Sequence, residues 1–539
     1  MFPILSKLID KKRHLILKII PIILLVFFLI QSGTAMIQEA ATWDETHSFG
    51  LGKYLLKNMK WDVPGSILHP PLSFYISSIP FLFIPDKQKP LWEYDQNINK
   101  DLLFLAGVDN TRGQALLSSD LNRDNILFYL SRLMIIFVAL LLGRYIYIWS
   151  YSIYGEKGAL LSLCLFSFCP NMLAHSHLTT PDMTLTAFSF ITSYYYWKSL
   201  NSCSLKYSII GGIFLGLALL TKFTSILLFP ILILFLLFFW INKIKLNAFN
   251  NILFYGIGLL ILFLGYGFNI TPYLQGIFFQ LEHTSKGHSS FLLGQHSTSG
   301  WWYYFIVAFL IKTPIPTLIL FFTSLFITAK KFRLNDNINE LCLLMPVLFI
   351  FSFFSINRQS IGLRYILPIY PFIFILIGKV MTIKPSKKWA NFLFSLILLW
   401  YFLGSINIYP HYLSYFNESI LGPKNGYKYL VDSNLDWGQD LKGLKKYMEK
   451  NNIDNIYLSY FGTDLPDRYG IKYNWLPSPS PFSEVSMENR VSSPIKGLIA
   501  ISATNLQGVY FNNKNIYAWL KNYKPIAMIG YSIFIYDIK

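Results

Sequence analysis

Residues 15–47 read LILKIIPIILLVFFLIQSGTAMIQEAATWDETH, and the rest of the chain is interpreted outward from this stretch. Its first part, residues 15–36, is almost entirely apolar and exceeds the roughly 20 residues that a helix needs to cross a bilayer. An acidic pair, Asp44 and Glu45, follows closely. Carboxylates beside a membrane span are costly unless they have a function. The stretch therefore predicts a membrane anchor that is followed by a candidate acidic site.

The composition of the 539-residue chain indicates a polytopic membrane protein. Hydrophobic residues make up 53% of it and charged residues only 14%, whereas soluble domains are about 25% charged. The net charge of +18 does not point to nucleic acid, because the Lys and Arg residues cluster at the ends of apolar runs, as the positive-inside rule predicts. The four cysteines form neither a disulfide framework nor a zinc pattern.

The apolar runs predict about eleven transmembrane helices, with the N-terminus in the cytoplasm and the acidic pair outside. The first run has no small-residue cleavage site, so we expect a retained anchor. With alternating spans, nearly all Lys and Arg clusters lie on the cytoplasmic side. The spans are predicted at residues 15–36, 126–150, 158–174, 183–197, 207–220, 224–241, 252–268, 303–328, 341–354, 366–380 and 389–406.

The first outer loop, residues 37–125, contains two segments that are predicted not to span the membrane. Residues 43–60 have the pattern of an amphipathic helix lying on the membrane surface. Residues 72–84 are apolar but short, and we interpret them as interfacial or re-entrant. The alternative, a short true span, would put Asp182 on the opposite face from Asp44, and the later charges do not fit it.

The chain becomes polar and mixed from about residue 409. Residues 456–461, 497–503 and 529–536 are predicted as strands, and residues 440–451 as a helix. We therefore expect an all-α membrane module over residues 1–408 and a small α/β extracytoplasmic domain over residues 409–539.

Three acidic residues and one histidine are candidates for chemistry on the outer side. Asp44 and Glu45 could cap the helix that follows them, or act as a general base or as a ligand for an acceptor or a metal. Asp182 could likewise be a helix cap or a second carboxylate of the same site. His69, which precedes two prolines, could bind a metal, contact a phosphate or pack at the interface.

Several cations are predicted near the outer face, where the positive-inside rule disfavours them. Each must pair either with a protein carboxylate or with an anionic ligand, for which phosphate is the obvious candidate. The set consists of Arg132, Lys222, Lys312, Arg358 and Arg364. His175 and His177, close to Asp182, are a weak metal signal, and the loop at residues 282–288 could close over a substrate.

The order of six short motifs resembles that of the GT-C glycosyltransferases of the protein O-mannosyltransferase and lipid A aminoarabinose transferase type. The resemblance covers residues 15–406, and residues 422–426 and 432–440 look like the tail of a bacterial branch. The motifs are Trp43-Asp44-Glu45, His69-Pro70-Pro71-Leu72, Ser131-Arg132-Leu133, Thr180-Pro181-Asp182-Met183, Leu219-Leu220-Thr221-Lys222 and Leu363-Arg364-Tyr365-Ile366-Leu367-Pro368.

The resemblance implies the GT-C fold and transfer of a sugar from a polyprenyl-phosphate donor to a protein, lipid or glycan acceptor outside the cytoplasm, usually with inversion. It gives Asp44 the role of catalytic carboxylate, with Glu45 as its neighbour and Asp182 as the second acid. It places His69 near the phosphate or a metal, and it puts Arg132, Lys222 and Arg364 in motifs where phosphate contacts are expected. Metal use varies among relatives, so a divalent metal is left open, and no other cofactor is expected.

Two other functions are compatible with a polytopic chain of this composition. A lipid or sugar transporter or flippase would have repeat symmetry and polar residues in mid-membrane, whereas the polar candidates here collect on one face. A non-catalytic membrane scaffold with an outer binding domain would not depend on Asp44.

Overall fold

The computed structural model describes residues 2–61, 63–85, 102–330, 337–356, 359–383, 388–479 and 495–539. Several short 3-10 helices join the longer elements in this part of the chain. The helices are α1 Phe2–Gln38, α2 Trp43–Asn58, α3 Leu72–Ser78, α4 Leu102–Leu117, α5 Ile126–Ser167, α6 Pro170–Ser176, α7 Pro181–Ser202, α8 Leu205–Leu219, α9 Leu228–Ile241, α10 Ala248–Gly265, α11 Thr271–Lys286, α12 Tyr304–Lys312, α13 Ile315–Lys330, α14 Ile338–Ile356, α15 Tyr370–Gly378, α16 Lys388–Ile408, α17 Leu441–Lys450 and α18 Ala503–Leu506. The strands are β1 Ser290–Leu292, β2 Gln295–Ser297, β3 Ile456–Ser459, β4 Tyr473–Trp475, β5 Gly497–Ser502, β6 Ala527–Ile529 and β7 Ile533–Ile538.

The membrane module is helical, and every predicted span coincides with helical structure. Among the described residues, seven helices are long and apolar enough to cross a membrane, or eight if α12 and α13, which meet at a bend of 113°, form one span. The 42-residue α5 contains the predicted span 126–150 and the first part of the predicted span 158–174, with a kink at Gly155, where φ is 70°. Most of the rest of that second span lies in α6. The expectation of a multi-pass membrane protein is therefore confirmed.

The first outer loop is more deeply packed than its sequence predicts. The expected helix at its start is α2, but residues over most of its length are buried, so it does not have the single buried face of a surface helix. It packs on α4, a helix within the stretch that was expected to be only a polar loop. Gly50 and Gly113 make this close approach possible, because a Cβ on either would collide with backbone of the partner helix.

Residues 72–83 form α3 and a following 3-10 helix, and the two together are too short to span a bilayer. The interfacial or re-entrant interpretation is therefore consistent with the structure. The backbone N–H of Leu72 donates to the carbonyl of Leu220 at 2.9 Å. This hydrogen bond holds the His69-Pro70-Pro71 segment against the end of α8, just before Lys222.

The C-terminal region contains a five-stranded sheet of order β4-β3-β5-β7-β6. Strands β4, β3 and β5 are parallel, whereas β7 pairs antiparallel with both β5 and β6. The helix α17 buries its leucines against this sheet, where Leu444 joins a cluster with Leu458, Ala500 and Ile535. The predicted strands and the predicted helix of this region are thus present, with shifts of a few residues at their ends.

Candidate functional site

The two adjacent acids at the start of α2 have different environments. Glu45 is fully buried, and its carboxylate accepts hydrogen bonds from the backbone N–H of Thr42 at 2.8 Å and of Thr179 at 3.0 Å. It also forms an ion pair with Arg132, whose Nη2 lies 2.6 Å from Oε2. Burial alone would raise the pKa of Glu45, but the charge of Arg132 and these hydrogen bonds hold that pKa below its ordinary value.

Arg132 is fully buried and satisfied within the protein. Its Nε and Nη2 donate to Glu45 at 2.9 and 2.6 Å, and its guanidinium also donates to the carbonyls of Met36 at 3.0 Å and Ala40 at 2.8 Å. Sequence reasoning placed Glu45 with the catalytic acids and Arg132 with the phosphate contacts. The geometry instead ties them to each other, where they fix the end of α1 against α2 and α5.

Asp44 faces the other way, and its side chain is 32% exposed. Its Oδ2 lies 2.7 Å from Nη1 of Arg364, and the same nitrogen lies 3.7 Å from Oδ2 of Asp182. Oδ1 of Asp182 accepts a hydrogen bond from Nζ of Lys222 at 2.7 Å. Two carboxylates and two cations therefore alternate along one line, which we call the charge row.

Each member of the charge row lies in the first turn of a helix or immediately before one. Asp44 and Asp182 lie in the first turns of α2 and α7, where the helix dipole favours negative charge. Lys222 follows α8 and immediately precedes a 3-10 helix, and Arg364 lies in the first turn of another, Leu363–Ile369. These four termini meet in space, so side chains that are far apart in the sequence form one site.

His69 is partly buried beside the charge row, and its buried Nδ1 has no hydrogen-bond partner. Burial, and after it the charge of Lys222, hold the pKa of His69 well below its ordinary value. The imidazole is therefore neutral at pH 7, and it can donate one hydrogen bond and accept another. His69 therefore lies close to Lys222, and its role near a phosphate or a metal stays a prediction.

Three connected clefts surround the charge row. The apolar cleft has a volume of about 720 Å³ and is lined by Lys222 and His69 together with mainly apolar side chains. The apolar side chains include those of Phe223, Ile226, Leu227, Phe353 and Phe354. The histidine cleft, of about 950 Å³, contains Asp44 and Arg364 and is lined by His47, His69, His283 and His288. The aromatic cleft, of about 890 Å³, shares Asp44 and Arg364 with it and is lined by Trp43, Trp437, Phe461 and Tyr510.

Asp44 thus lies at the junction of the histidine and aromatic clefts, and His69 at the junction of the apolar and histidine clefts. The sequence singled out His69 and residues 282–288, which contribute His283 and His288, but it did not single out His47. The expected loop is mostly helical, because residues 282–286 form the end of α11. Both ring nitrogens of His47 are buried without a hydrogen-bond partner. The signal in the sequence that could have identified His47 is its position three residues after Asp44, one helical turn along the same face.

Lys312 lies apart from this arrangement. Lys312 is buried at the end of α12, where its Nζ donates to the carbonyl of Leu413 at 2.8 Å and to that of Asn434. The sequence grouped it with the phosphate ligands, whereas the structure places it between α12 and the C-terminal region. Arg358 lies outside the described residues.

His175 and His177 are buried near Asp182, and His177 Nε2 lies 2.9 Å from Oε2 of Glu39. Within the described ranges, no group of three or more His, Cys, Asp or Glu side chains is placed to hold a metal ion. The question of metal dependence that the sequence raised therefore stays open.

The charge row lies at the meeting point of an apolar cleft and two polar clefts, in a chain with several helices that are apolar enough to cross a membrane. These features define a multi-pass membrane protein with a charged cleft between its helices. A family model described as dolichyl-phosphate-mannose-protein mannosyltransferase matches residues 127–266, which include α7 with Asp182 and the following Lys222. No significant match was found among curated protein sequences.

The fold is also found among solved structures. The crystal structure of ArnT from Cupriavidus metallidurans bound to undecaprenyl phosphate superposes with a TM-score of 0.50 at 12% identity, covering 95% of this chain and 97% of that one. Its apo state gives 0.49 at 10% identity with the same coverage. The oligosaccharyltransferase of Archaeoglobus fulgidus in complex with zinc and sulfate gives 0.39 at 11% identity, covering 89% of this chain and 68% of that one. The chain therefore has the GT-C glycosyltransferase fold, as its sequence motifs predicted.

Proposed function

We propose that this chain is a glycosyltransferase that moves a sugar from a polyprenyl-phosphate donor to an acceptor hydroxyl, with Asp44 as the catalytic carboxylate. The observation that carries the proposal is the charge row, Lys222–Asp182–Arg364–Asp44, set between an apolar cleft and two polar clefts. A lipid-linked sugar phosphate has the same order of parts: an apolar chain, an anion and a polar sugar.

The donor fits the clefts in one direction. The isoprenoid chain would lie in the apolar cleft, which is lined by Ile226, Leu227 and Phe353. The phosphate would lie near Lys222 and the neutral His69, at the point where the apolar and histidine clefts share residues. The sugar would then occupy the histidine cleft, where imidazole and amide side chains can donate to and accept from its hydroxyl groups.

The reaction is a single displacement at the anomeric carbon, with inversion. Asp44 accepts the proton of the acceptor hydroxyl while the acceptor oxygen bonds to the anomeric carbon. The bond from that carbon to the phosphate oxygen breaks, and the electron pair leaves with polyprenyl phosphate. Lys222 and Arg364 stabilise the charge that develops on the leaving phosphate. Glu45 and Arg132 act by holding α2 in place.

We further propose that the charge row and the α/β domain of residues 409–539 face outward across the cytoplasmic membrane. The support is the positive-inside pattern, because basic clusters such as Lys243 with Lys245 follow the helices at the end remote from the charge row. The acceptor would then be a protein, a lipid or a glycan of the cell envelope.

The test is transfer from radiolabelled polyprenyl-phosphate mannose, glucose or aminoarabinose in membranes containing the chain. We expect one label to move to an acceptor, and Asp44→Asn to reduce the transfer about 10²–10⁴-fold, the usual contribution of a general base. The matched control is Asp120→Asn, at an exposed carboxylate in the same outer loop. Transfer by Asp44→Asn at the control rate, with equal expression, would refute the proposal.

A further inference from the structure

The aromatic cleft brings residues from the two ends of the chain together. Trp43 belongs to α2, whereas Trp437, Phe461 and Tyr510 belong to the C-terminal region. The rings of Trp43 and Phe461 stack with centroids 4.6 Å apart, and those of Phe461 and Tyr510 stack at 5.4 Å and only 3° from parallel. These three rings form a continuous aromatic row beside Asp44.

Polar groups border the aromatic row. Asp432 accepts a hydrogen bond from the hydroxyl of Tyr510, and its own backbone N–H donates to Oγ1 of Thr504 at 3.0 Å. Asp432 has a φ of 59°, an uncommon conformation for a residue other than glycine. Strained residues of this kind concentrate at ligand sites. His288 and Arg364 complete the polar border, and the guanidinium of Arg364 lies 4.3 Å from the centre of the Trp437 ring.

We propose that the aromatic cleft is the acceptor site and that the acceptor is a saccharide. This inference rests on the proposed function, and it gives the C-terminal region a role in acceptor recognition. A pyranose ring has a face of C–H groups that packs on flat aromatic side chains and a rim of hydroxyl groups that bond to carboxylates and guanidinium. The partly exposed rings of Trp43 and Tyr510 and the polar border supply both kinds of surface. The part of the cleft that a ligand can fill, about 410 Å³, is in the range for small organic ligands.

A peptide acceptor fits the cleft less well. Extended peptides are commonly bound by pairing with an exposed strand edge. Among the described residues that line the aromatic cleft, none belongs to a β-strand. A purely apolar ligand is also disfavoured, because the carboxylates of Asp44 and Asp432 would have to be desolvated beside it without replacement hydrogen bonds.

The acceptor position satisfies the chemistry of the displacement. Asp44 lines both the histidine cleft and the aromatic cleft. A saccharide hydroxyl that reaches Asp44 from the aromatic cleft gives it its proton and forms a bond to the anomeric carbon in the histidine cleft. The phosphate leaves with the bonding electron pair toward Lys222, on the side of the apolar cleft, which is the arrangement that inversion requires.

The experiment is saturation-transfer difference NMR on the full-length protein, in a detergent without a sugar head group. The probes are mannobiose and diacetylchitobiose, each both free and carried on a single-chain lipid, together with a hexapeptide of alanine, serine and threonine. We expect transfer to the ring C–H protons of a disaccharide. Signal from the free form indicates a glycan acceptor, and signal only from the lipid-carried form indicates a glycolipid.

Two variants test the site. Phe461→Leu removes a flat ring while keeping an apolar side chain, and Trp43→Leu does so at a half-buried position that tolerates change better. Each should weaken disaccharide binding about tenfold, the loss expected for one aromatic contact. Tyr523→Ala, at a ring that is 42% exposed in the C-terminal region, is the control and should leave binding unchanged.

Binding of the hexapeptide in place of both disaccharides would overturn the proposal, and so would unchanged disaccharide binding in both leucine variants. These readouts need no donor, so they are independent of sugar transfer. If donor cleavage persists in Asp44→Asn, the proposed function fails even when saccharides bind. If saccharides do not bind while Asp44→Asn loses donor cleavage, only the acceptor inference fails.

Discussion

Replacing Arg132 by methionine should destabilise the protein rather than impair recognition of the donor phosphate. Arg132 and Glu45 are both 0% exposed, and their two contacts are 2.9 and 2.6 Å long. Removing one partner of a buried ion pair costs about 3–5 kcal/mol, because the other charge is left without compensation. The carbonyls of Met36 and Ala40 lose a donor as well.

A loss of this size should lower the midpoint of thermal unfolding by about 3–5 °C, because the entropy of unfolding grows with chain length. The midpoint can be followed by tryptophan fluorescence of the purified protein in detergent. Arg144→Met is the matched control, since Arg144 lies exposed on the same helix, and it should unfold with the wild type. The double variant Arg132→Met/Glu45→Gln should recover part of the loss, because it also removes the stranded charge.

The opposite result would refute this reasoning. If Arg132→Met unfolds within about 2 °C of the wild type but binds polyprenyl phosphate far more weakly, Arg132 contacts the donor, as the sequence motif suggested. If the double variant is less stable than the sum of the single variants allows, the two side chains do not act as a pair.

Two further predictions concern the donor cation and pH. Lys222→Gln should raise the KM for the donor about 10–100-fold, since hydrogen bonds to charged groups contribute about 1.5–3 kcal/mol. The control is Lys379→Gln, which removes a comparable ion pair with Glu340 outside the three clefts and should leave the donor KM unchanged. Equal effects of the two variants would contradict a contact between Lys222 and the phosphate. Burial raises the pKa of Asp436 to about 8, above its ordinary value, so its contribution to stability is present in acid and is lost as pH rises from about 4 to about 8. Asp436→Asn should therefore raise the midpoint of thermal unfolding by a few degrees at pH 9 and leave it nearly unchanged at pH 5. The same fluorescence assay measures both midpoints. An equal shift at both pH values would contradict a protonated Asp436.

The positions of the apolar helices were predictable because their signals are local. Apolar runs and the basic residues that follow them are read from a single window of sequence, and each predicted span is helical in the structure. The packing of α2 on α4 was not predictable in this way. It depends on Gly50 and Gly113, which allow two backbones to approach each other, and neither glycine identifies its partner from the sequence alone.

The candidate site was predictable as a set of residues but not as a set of pairs. Asp44 and Glu45 are adjacent in the sequence, yet successive residues of a helix project about 100° apart. One carboxylate therefore meets the buried Arg132, and the other faces the clefts. Likewise, Lys222 and Lys312 both looked like outer-face cations, but only long-range packing decides that Lys222 meets Asp182 and Lys312 meets backbone carbonyls.

Under the proposed mechanism, Arg364 is the residue through which donor binding would control Asp44, the proposed base. Its Nη1 is 2.7 Å from Asp44 and 3.7 Å from Asp182, so a phosphate that binds this guanidinium competes with Asp44 for the same N–H group. Asp44 is then released to accept a proton only when the donor is in place. Arg364→Lys keeps the charge but loses the planar fork that can hold two anions at once.

We therefore expect Arg364→Lys to lower kcat about 10–100-fold while changing the donor KM much less, because the charge that attracts the phosphate remains. Steady-state kinetics with a labelled donor would measure both constants. A variant with unchanged kcat and a raised KM would show that Arg364 only binds the donor. In that case the contact between Arg364 and Asp44 would have no part in activating the acceptor.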